Sequence, residues 1–93
     1  MGIFKINEIE HYAVVDNADN KCSICYESFF DAVDDAANKI VDVCGYDKNK
    51  LNVCITHANV KKVNSLRIFK GKKRNNKFLY TKFISSIIIN EEG

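Results

Sequence analysis

Two pairs of residues in this chain have the spacing of zinc ligands. Cys22 and Cys25 are separated by two residues, and so are Cys54 and His57. A structural zinc site brings four thiolate or imidazole ligands to one point, with each sulfur about 2.3 Å from the metal. Both pairs lie in stretches typical of strands, where residues three apart face opposite sides about 10 Å apart. We therefore predict no metal and no cofactor, and keep a zinc-stabilised structural module as the lowest alternative.

The same residues are the candidates for nucleophilic catalysis. A catalytic thiol needs a base within hydrogen-bonding reach and an accessible, electropositive environment. Cys54 and His57 are expected on opposite sides of one strand. The sequence also has no glycine-rich phosphate loop, nucleophile elbow or HExxH motif. We predict that the protein has no catalytic residues and is not an enzyme.

The cysteines and the first residues indicate a compartment. The chain has four cysteines, each in an apolar context, and its first ten residues contain no continuous apolar segment of the secretory type. Disulfides are rare in reducing compartments. We expect a cytoplasmic protein with free thiols and no membrane association.

Charged residues are segregated along the chain. Residues 1–47 contain three lysines and ten acidic residues, a net charge of −7, whereas residues 48–93 contain eleven basic and two acidic residues, a net charge of +9. The net charge of the whole chain, +2, hides this separation. If the fold keeps the two halves apart, the resulting dipole steers and orients charged partners.

Two partner-binding surfaces follow from this separation. The first is a basic hairpin, formed by Arg67, Lys70, Lys72, Lys73, Arg74, Lys77 and Lys82. The second is an acidic helix face, formed by Asp31, Asp34, Asp35 and Asp42. Aromatic residues alternate with the cations of the hairpin. They would stack on bases if the hairpin binds nucleic acid, and would face the core if the charge only protects an edge from aggregation.

The periodicity of residues 28–45 predicts the helix that positions the acidic face. Ser28 is a typical N-cap and Gly45 a typical left-handed C-cap. Apolar residues recur every three or four positions between them, so one face of the helix is expected to be buried. Asp35 and Lys39 are four residues apart and are expected to form an ion pair.

The remaining segments are predicted to be strands. The predicted strands are 11–15, 21–26, 51–57, 63–70 and 77–90, with a hairpin tip at 71–76 and a bulge or twist around 85–86. The order is therefore β-β-α-β-β-β. We predict a single α+β domain over residues 1–93, with one mostly antiparallel sheet and one amphipathic helix on one face.

These observations favour a small non-enzymatic binding protein. It would act by stoichiometric, charge-directed contact with another protein, as inhibitors and immunity proteins of this size do. The alternative is a nucleic-acid-associated module that uses the basic hairpin. The long C-terminal strand could also pair with itself across a two-fold axis, so a homodimer through an edge strand is a further hypothesis.

Overall fold

The computed structural model describes residues 10–22, 25–75 and 77–92. They form one helix and four strands, with a short 3-10 turn at Lys48–Lys50. The strands are β1 (Glu10–Val15), β2 (Leu51–Thr56), β3 (Ser65–Arg74) and β4 (Lys77–Glu91), and the helix is α1 (Phe29–Cys44). All pairings are antiparallel, in the order β1-β3-β4-β2. The predicted α+β class, with one antiparallel sheet and one helix, is confirmed.

Helix α1 begins and ends at the predicted residues. Ser28 has extended backbone, and its hydroxyl accepts a hydrogen bond from the N–H of Phe30 at 3.2 Å. Gly45 has a φ of 68° and donates its N–H to the carbonyl of Val41 at 2.8 Å. These contacts satisfy backbone groups that a helix end otherwise leaves unpaired. The predicted ion pair between Asp35 and Lys39 is present at 3.8 Å.

The core lies between α1 and one face of the sheet, where the helix contacts β1, β3 and β4. The buried members of this core are aliphatic or small: Val14, Ala32, Ala36, Ile40, Leu66, Ile68, Ile87 and Ile89. Burying one valine or isoleucine side chain contributes about 1.5–3 kcal/mol. Ala36 and Ile40 confirm the predicted face of the helix, although the adjacent Ala32 and Val41 are also buried.

The strand predicted over residues 21–26 is wrong as a continuous element. This segment lies beside β1 and forms two isolated bridges, Val15 with Lys21 and Tyr12 with Tyr26. The two bridges are three residues apart on β1 but five residues apart on the outer segment. A single continuous pairing register therefore cannot include both bridges. Residues 23–24 lie outside the described residues. The observed order of the described elements is β-α-β-β-β.

The hairpin between β3 and β4 is longer and tighter than predicted. Gly71 to Arg74 continue β3 and pair with Tyr80 to Lys77, so the loop predicted over 71–76 is wrong. Only residues 75 and 76 of the sequence separate β3 from β4, and Asn75 has a φ of 46°. Asparagine is one of the few residue types that tolerate this left-handed conformation.

Strand β4 contains two extra residues relative to β3. The register shifts between Ile68 and Phe69 and again between Lys70 and Gly71. The first shift leaves Ile84 without a partner on β3, immediately before the position at which the sequence predicts a bulge. At the second shift, the hydroxyl of Thr81 donates to the carbonyl of Lys70 at 3.1 Å. Such bulges increase the local twist of a ribbon.

Strand β4 is an inner strand, because β3 pairs along one side of it and β2 pairs with residues 86–91 on the other. The hypothesis that this C-terminal strand pairs with a second copy is therefore wrong for residues 86–91. The edge at this end of the sheet is β2. Helix α1, the one α-helix within the described ranges, falls short of the length and apolar character needed to cross a bilayer.

Candidate charged interface

The structure places the two possible zinc-ligand pairs at opposite edges of the sheet. Cys22 and Cys25 belong to the segment beside β1, whereas Cys54 lies on β2, so that β1, β3 and β4 separate the two pairs. Residues 10–22, 25–75 and 77–92 contain no group of three His, Cys, Asp or Glu side chains that could hold a metal ion. The described residues therefore do not bring the candidate zinc ligands Cys22, Cys25, Cys54 and His57 to one point.

Arg67 belongs to the interior and not to the basic surface. Its side chain is 3% exposed, and Nη2 donates to the carbonyl of Asp16 at 2.6 Å and to Oδ1 of Asp19 at 2.5 Å. The guanidinium also lies 5.7 Å from the centre of the Phe69 ring. The prediction that Arg67 contacts a partner is corrected, because its guanidinium is buried and paired with Asp19 within the molecule.

Asp19 is the residue that neutralises Arg67, and it is not among the site residues predicted from the sequence. Its φ is 66°, and it also accepts a hydrogen bond from Nζ of Lys61 at 3.2 Å. The hydrogen bonds from Arg67 and Lys61 lower the pKa of Asp19 below its usual value. The only sequence signal was the run of turn-forming residues 16–20, in which Asp16 Oδ1 accepts the N–H groups of Ala18 and Asn20.

Lys70 is also paired within the molecule. Its Nζ lies 2.6 Å from Oε2 of Glu10 and 5.8 Å from the centre of the Tyr12 ring. The hydrogen bond between them lowers the pKa of Glu10 and raises that of Lys70. Lys70 therefore lies at the boundary of the basic surface, with its charge largely balanced.

The remaining lysines of the predicted hairpin are exposed. Lys72, Lys73 and Lys77 lie towards its tip, and Lys82 pairs with Lys70. Arg74 ends β3, and its side chain lies outside the described residues. Residues 71–82, which we call the basic ribbon, contain five basic residues and no acidic ones. Pairing with β1 ends at Lys72. Beyond that point the described part of the sheet is two-stranded.

The aromatic residues of the hairpin pack mainly on each other. Phe69 lies edge-to-face against Phe83 and against Tyr80, each at 5.5 Å between ring centres, and Tyr80 lies in the same manner 5.0 Å from Phe78. This cluster lies on the face of the sheet opposite α1. Tyr80 is nevertheless 50% exposed, as is its neighbour Leu79. The ribbon therefore combines exposed cations with two exposed apolar side chains.

The predicted acidic face is present on the outer side of α1. Asp31, Asp34 and Asp42 are exposed, and Asp35 is half-buried beside Lys39. The ion pairs that join the two halves of the chain use Glu10 and Asp19 instead. The acidic helix face and the basic ribbon thus lie on different elements, and Asp31, Asp34 and Asp42 face solvent.

The thiols of Cys22 and Cys44 contact backbone carbonyls and not a base. Burial raises the pKa of the Cys22 thiol, which donates to the carbonyl of Asn20 at 3.6 Å. The thiol of Cys44 points to the carbonyl of Val63 at 3.9 Å. All four cysteines are free, and Cys54 is exposed on β2.

Comparison of the chain with models of known protein families, with curated proteins and with solved structures gives no match.

Proposed function

We propose that this protein is a non-enzymatic binding protein that docks its basic ribbon on an acidic patch of another protein. The observation that supports this proposal is the ribbon itself, in which five basic residues and no acidic ones occupy residues 71–82. Within the described residues it extends past β1 as a two-stranded element with exposed Lys73 and Lys77. Exposed cations beside apolar surface suit a protein interface, since charge orients the partner and apolar area stabilises the contact.

An acidic protein fits better than a long polyanion because of the acidic helix face. Asp31 and Asp34 lie on α1, whose first residue, Phe29, packs against Tyr12 of β1 with the ring centres 5.9 Å apart. Tyr12 pairs with Lys70, close to the base of the ribbon. A nucleic acid following the ribbon towards this end of the sheet would approach carboxylates, whereas a compact acidic patch contacts the tip alone. The opposed surfaces would also orient the incoming protein.

Charge reversal on the ribbon tests the proposal. We expect the full chain to capture a protein from nuclease-treated native lysate, and the captured protein to bind in purified form. Lys73→Glu with Lys77→Glu should weaken that purified binding at least tenfold, because each change replaces attraction by repulsion. The matched control is Lys48→Glu with Lys50→Glu, two exposed lysines near the opposite end of β4. Equal losses in both double variants would contradict a ribbon-specific contact.

Nucleic-acid binding through the same ribbon is the second candidate, favoured by the exposed Tyr80 among the cations. Two-stranded ribbons fit the major groove, and aromatic side chains stack on unpaired bases. This function predicts a linear fall of log affinity with log salt, with about one unit of slope lost per lysine removed. Fluorescence anisotropy with a duplex and a single-stranded 20-mer measures it. Unchanged slopes in Lys72→Ala, Lys73→Ala and Lys77→Ala would eliminate this function.

We place the protein in the cytoplasm as part of the same proposal. The four free cysteines support a reducing compartment, because exposed Cys54 would oxidise readily elsewhere. Alkylation of the native protein in intact cells, followed by mass spectrometry, should show Cys54 as a modified, reduced thiol. A predominantly oxidised Cys54 would contradict this placement.

A further inference from the structure

The outer edge of β2 is a second surface that could bind another chain. Within the described residues β2 pairs with β4 alone, in a continuous register from Leu51 with Glu91 to Thr56 with Ser86. Val53 and Ile55 are 43% and 50% exposed. They share a face with their partners Ile89 and Ile87, which belong to the core beneath α1, and the main contacts of the helix are with β1, β3 and β4.

The direction of the backbone groups along β2 follows from two contacts. The N–H of Glu92 donates to the carbonyl of Lys50. The backbone N–H and C=O groups of Lys50, and of every second residue after it, therefore point towards β4. The N–H of Ile89 donates to the carbonyl of Asn64, on the side of β3. The backbone groups of the neighbouring residues Ile88 and Asn90 therefore point towards β2. The N–H and C=O groups of Leu51, Val53 and Ile55 consequently point away from the sheet.

This edge lacks the features with which proteins prevent edge-to-edge pairing. Such features are charged side chains, proline, bulges or a covering segment. Residues 51–56 contain no charged residue and no proline, and their register has no shift. The other edges are different, since the segment around Lys21 and Tyr26 bridges to β1, and the distal part of β4 contains Lys77 and Lys82.

We propose that β2 pairs with β2 of a second copy of this chain, antiparallel and centred on Cys54. In this register Val53 of each copy lies opposite Ile55 of the other, on the face of the sheet that carries the helix. Asn52 lies opposite Thr56 on the other face. The outward groups of Val53 and Ile55 then bond each other across the axis. The strand is thus complementary to itself, with four β-branched apolar side chains in contact and no repulsive charge within the paired segment.

The same register brings the two Cys54 residues together at the two-fold axis. Because the backbone groups of Cys54 point towards β4, the two residues form a non-hydrogen-bonded pair, with Cα atoms about 4.5 Å apart. That separation lies within the range that a disulfide spans. The pairing makes an eight-stranded sheet with both helices on one face and the two basic ribbons pointing in opposite directions. A six-residue edge buries less than the roughly 1,600 Å² of a standard interface, so the dimer is expected to depend on concentration.

Sedimentation equilibrium of the reduced full chain tests this pairing. Wild type should approach twice the chain mass of 10.6 kDa as concentration rises. Ile55→Lys should weaken dimerisation at least tenfold, because it places a charge opposite Val53 of the other copy. Leu79→Lys is the matched control, since Leu79 is also 50% exposed but lies on the basic ribbon. Circular dichroism verifies that both variants fold.

Cross-linking then tests the register. In a variant with Cys22, Cys25 and Cys44 replaced by serine, diamide should join two chains through Cys54, taking up the two thiol hydrogens as the disulfide forms. Addition of Ile55→Lys should suppress this product. A monomer at every concentration up to about 1 mM, equal dimerisation of Ile55→Lys and Leu79→Lys, or a dimer that does not cross-link at Cys54 would each overturn the proposal. None of these outcomes bears on binding by the ribbon.

Discussion

At the scale of single residues, the contact between Asp19 and Arg67 shows how a charge pattern misleads. The position of Arg67 among other cations in the sequence predicts that it belongs to the basic surface. The fold buries it, and a turn residue 48 positions earlier in the chain supplies the opposite charge. A buried guanidinium must be paired or hydrogen-bonded, because its desolvation is otherwise too costly. The exposed basic surface is correspondingly smaller than the sequence indicates.

The lowered pKa of Asp19 predicts a pH dependence of stability. A carboxylate whose pKa is lower in the folded than in the unfolded state stabilises the fold above its unfolded pKa, near 3.8. That stabilisation is lost as the pH falls through the folded pKa. In urea unfolding from pH 6 to pH 2, wild type should therefore lose more stability in acid than Asp19→Asn. Asp42→Asn, on the exposed face of α1, controls for the loss of one carboxylate. Parallel pH profiles of wild type and Asp19→Asn would contradict the prediction.

Gly71 predicts a second residue-scale effect. A Cβ atom at this position would lie 2.1 Å from the carbonyl oxygen of Leu79 and 2.7 Å from the ring of Phe78. Because the nearest atom is backbone, the strands would have to separate at the register shift. We expect Gly71→Ala to lower the free energy of unfolding by about 1–3 kcal/mol. Lys73→Ala, on an exposed position of the same strand, should change it by less than about 0.5 kcal/mol. Urea denaturation measures both, and equal effects would refute the close approach.

At the scale of elements, α1 was predictable because its signals are local. The N-cap, the C-cap and the apolar spacing all lie within the residues that form the helix. A strand predicted from composition is observed only where a neighbouring strand pairs with its backbone N–H and C=O groups. Residues 21–26 have strand-forming composition, but the register beside β1 allows only two bridges. Gly71 to Arg74 look like a loop by composition, and they are strand because β4 pairs with them.

We expect the N-cap of α1 to contribute to the stability of the fold. The Ser28 hydroxyl accepts the N–H of Phe30, so Ser28→Ala leaves that donor without its partner. We expect a loss of about 1 kcal/mol in the free energy of unfolding, within the range of 0.5–2 kcal/mol typical of N-caps. Ser28→Asn should retain most of the stability, because asparagine is an equally good N-cap. Thermal and urea unfolding report the difference, and a stable Ser28→Ala variant would show that the cap contributes nothing here.

At the scale of the whole molecule, the staggered sheet produces an elongated shape. Strand β1 pairs towards the distal end of the β3–β4 hairpin and β2 towards its base, so the described residues measure 63 × 23 × 22 Å. The acidic face of α1 and the basic ribbon occupy different parts of this body. One small domain therefore presents two separate surfaces of opposite charge.

This shape predicts the result of small-angle X-ray scattering. The Cα radius of gyration is 14.9 Å, against about 12 Å for a compact chain of 93 residues. We expect dilute, monomeric Ile55→Lys to give a radius of about 15 Å or somewhat more. A value near 12 Å would show that the basic ribbon folds back on the body, which would remove the projecting surface on which the proposed function rests.

The sequence alone determined the class of fold, the helix with both caps, the long C-terminal strand and the segregation of charge, because each depends on neighbouring residues or on composition. The tertiary structure alone decided which charges remain exposed, since Arg67 and Lys70 lose their availability to Asp19 and Glu10, residues distant in the chain. It also decided that β2 is the edge strand beside residues 86–91 of β4 in the described sheet. Strand order depends on which backbone groups find partners across the whole sheet, and no local pattern contains that information.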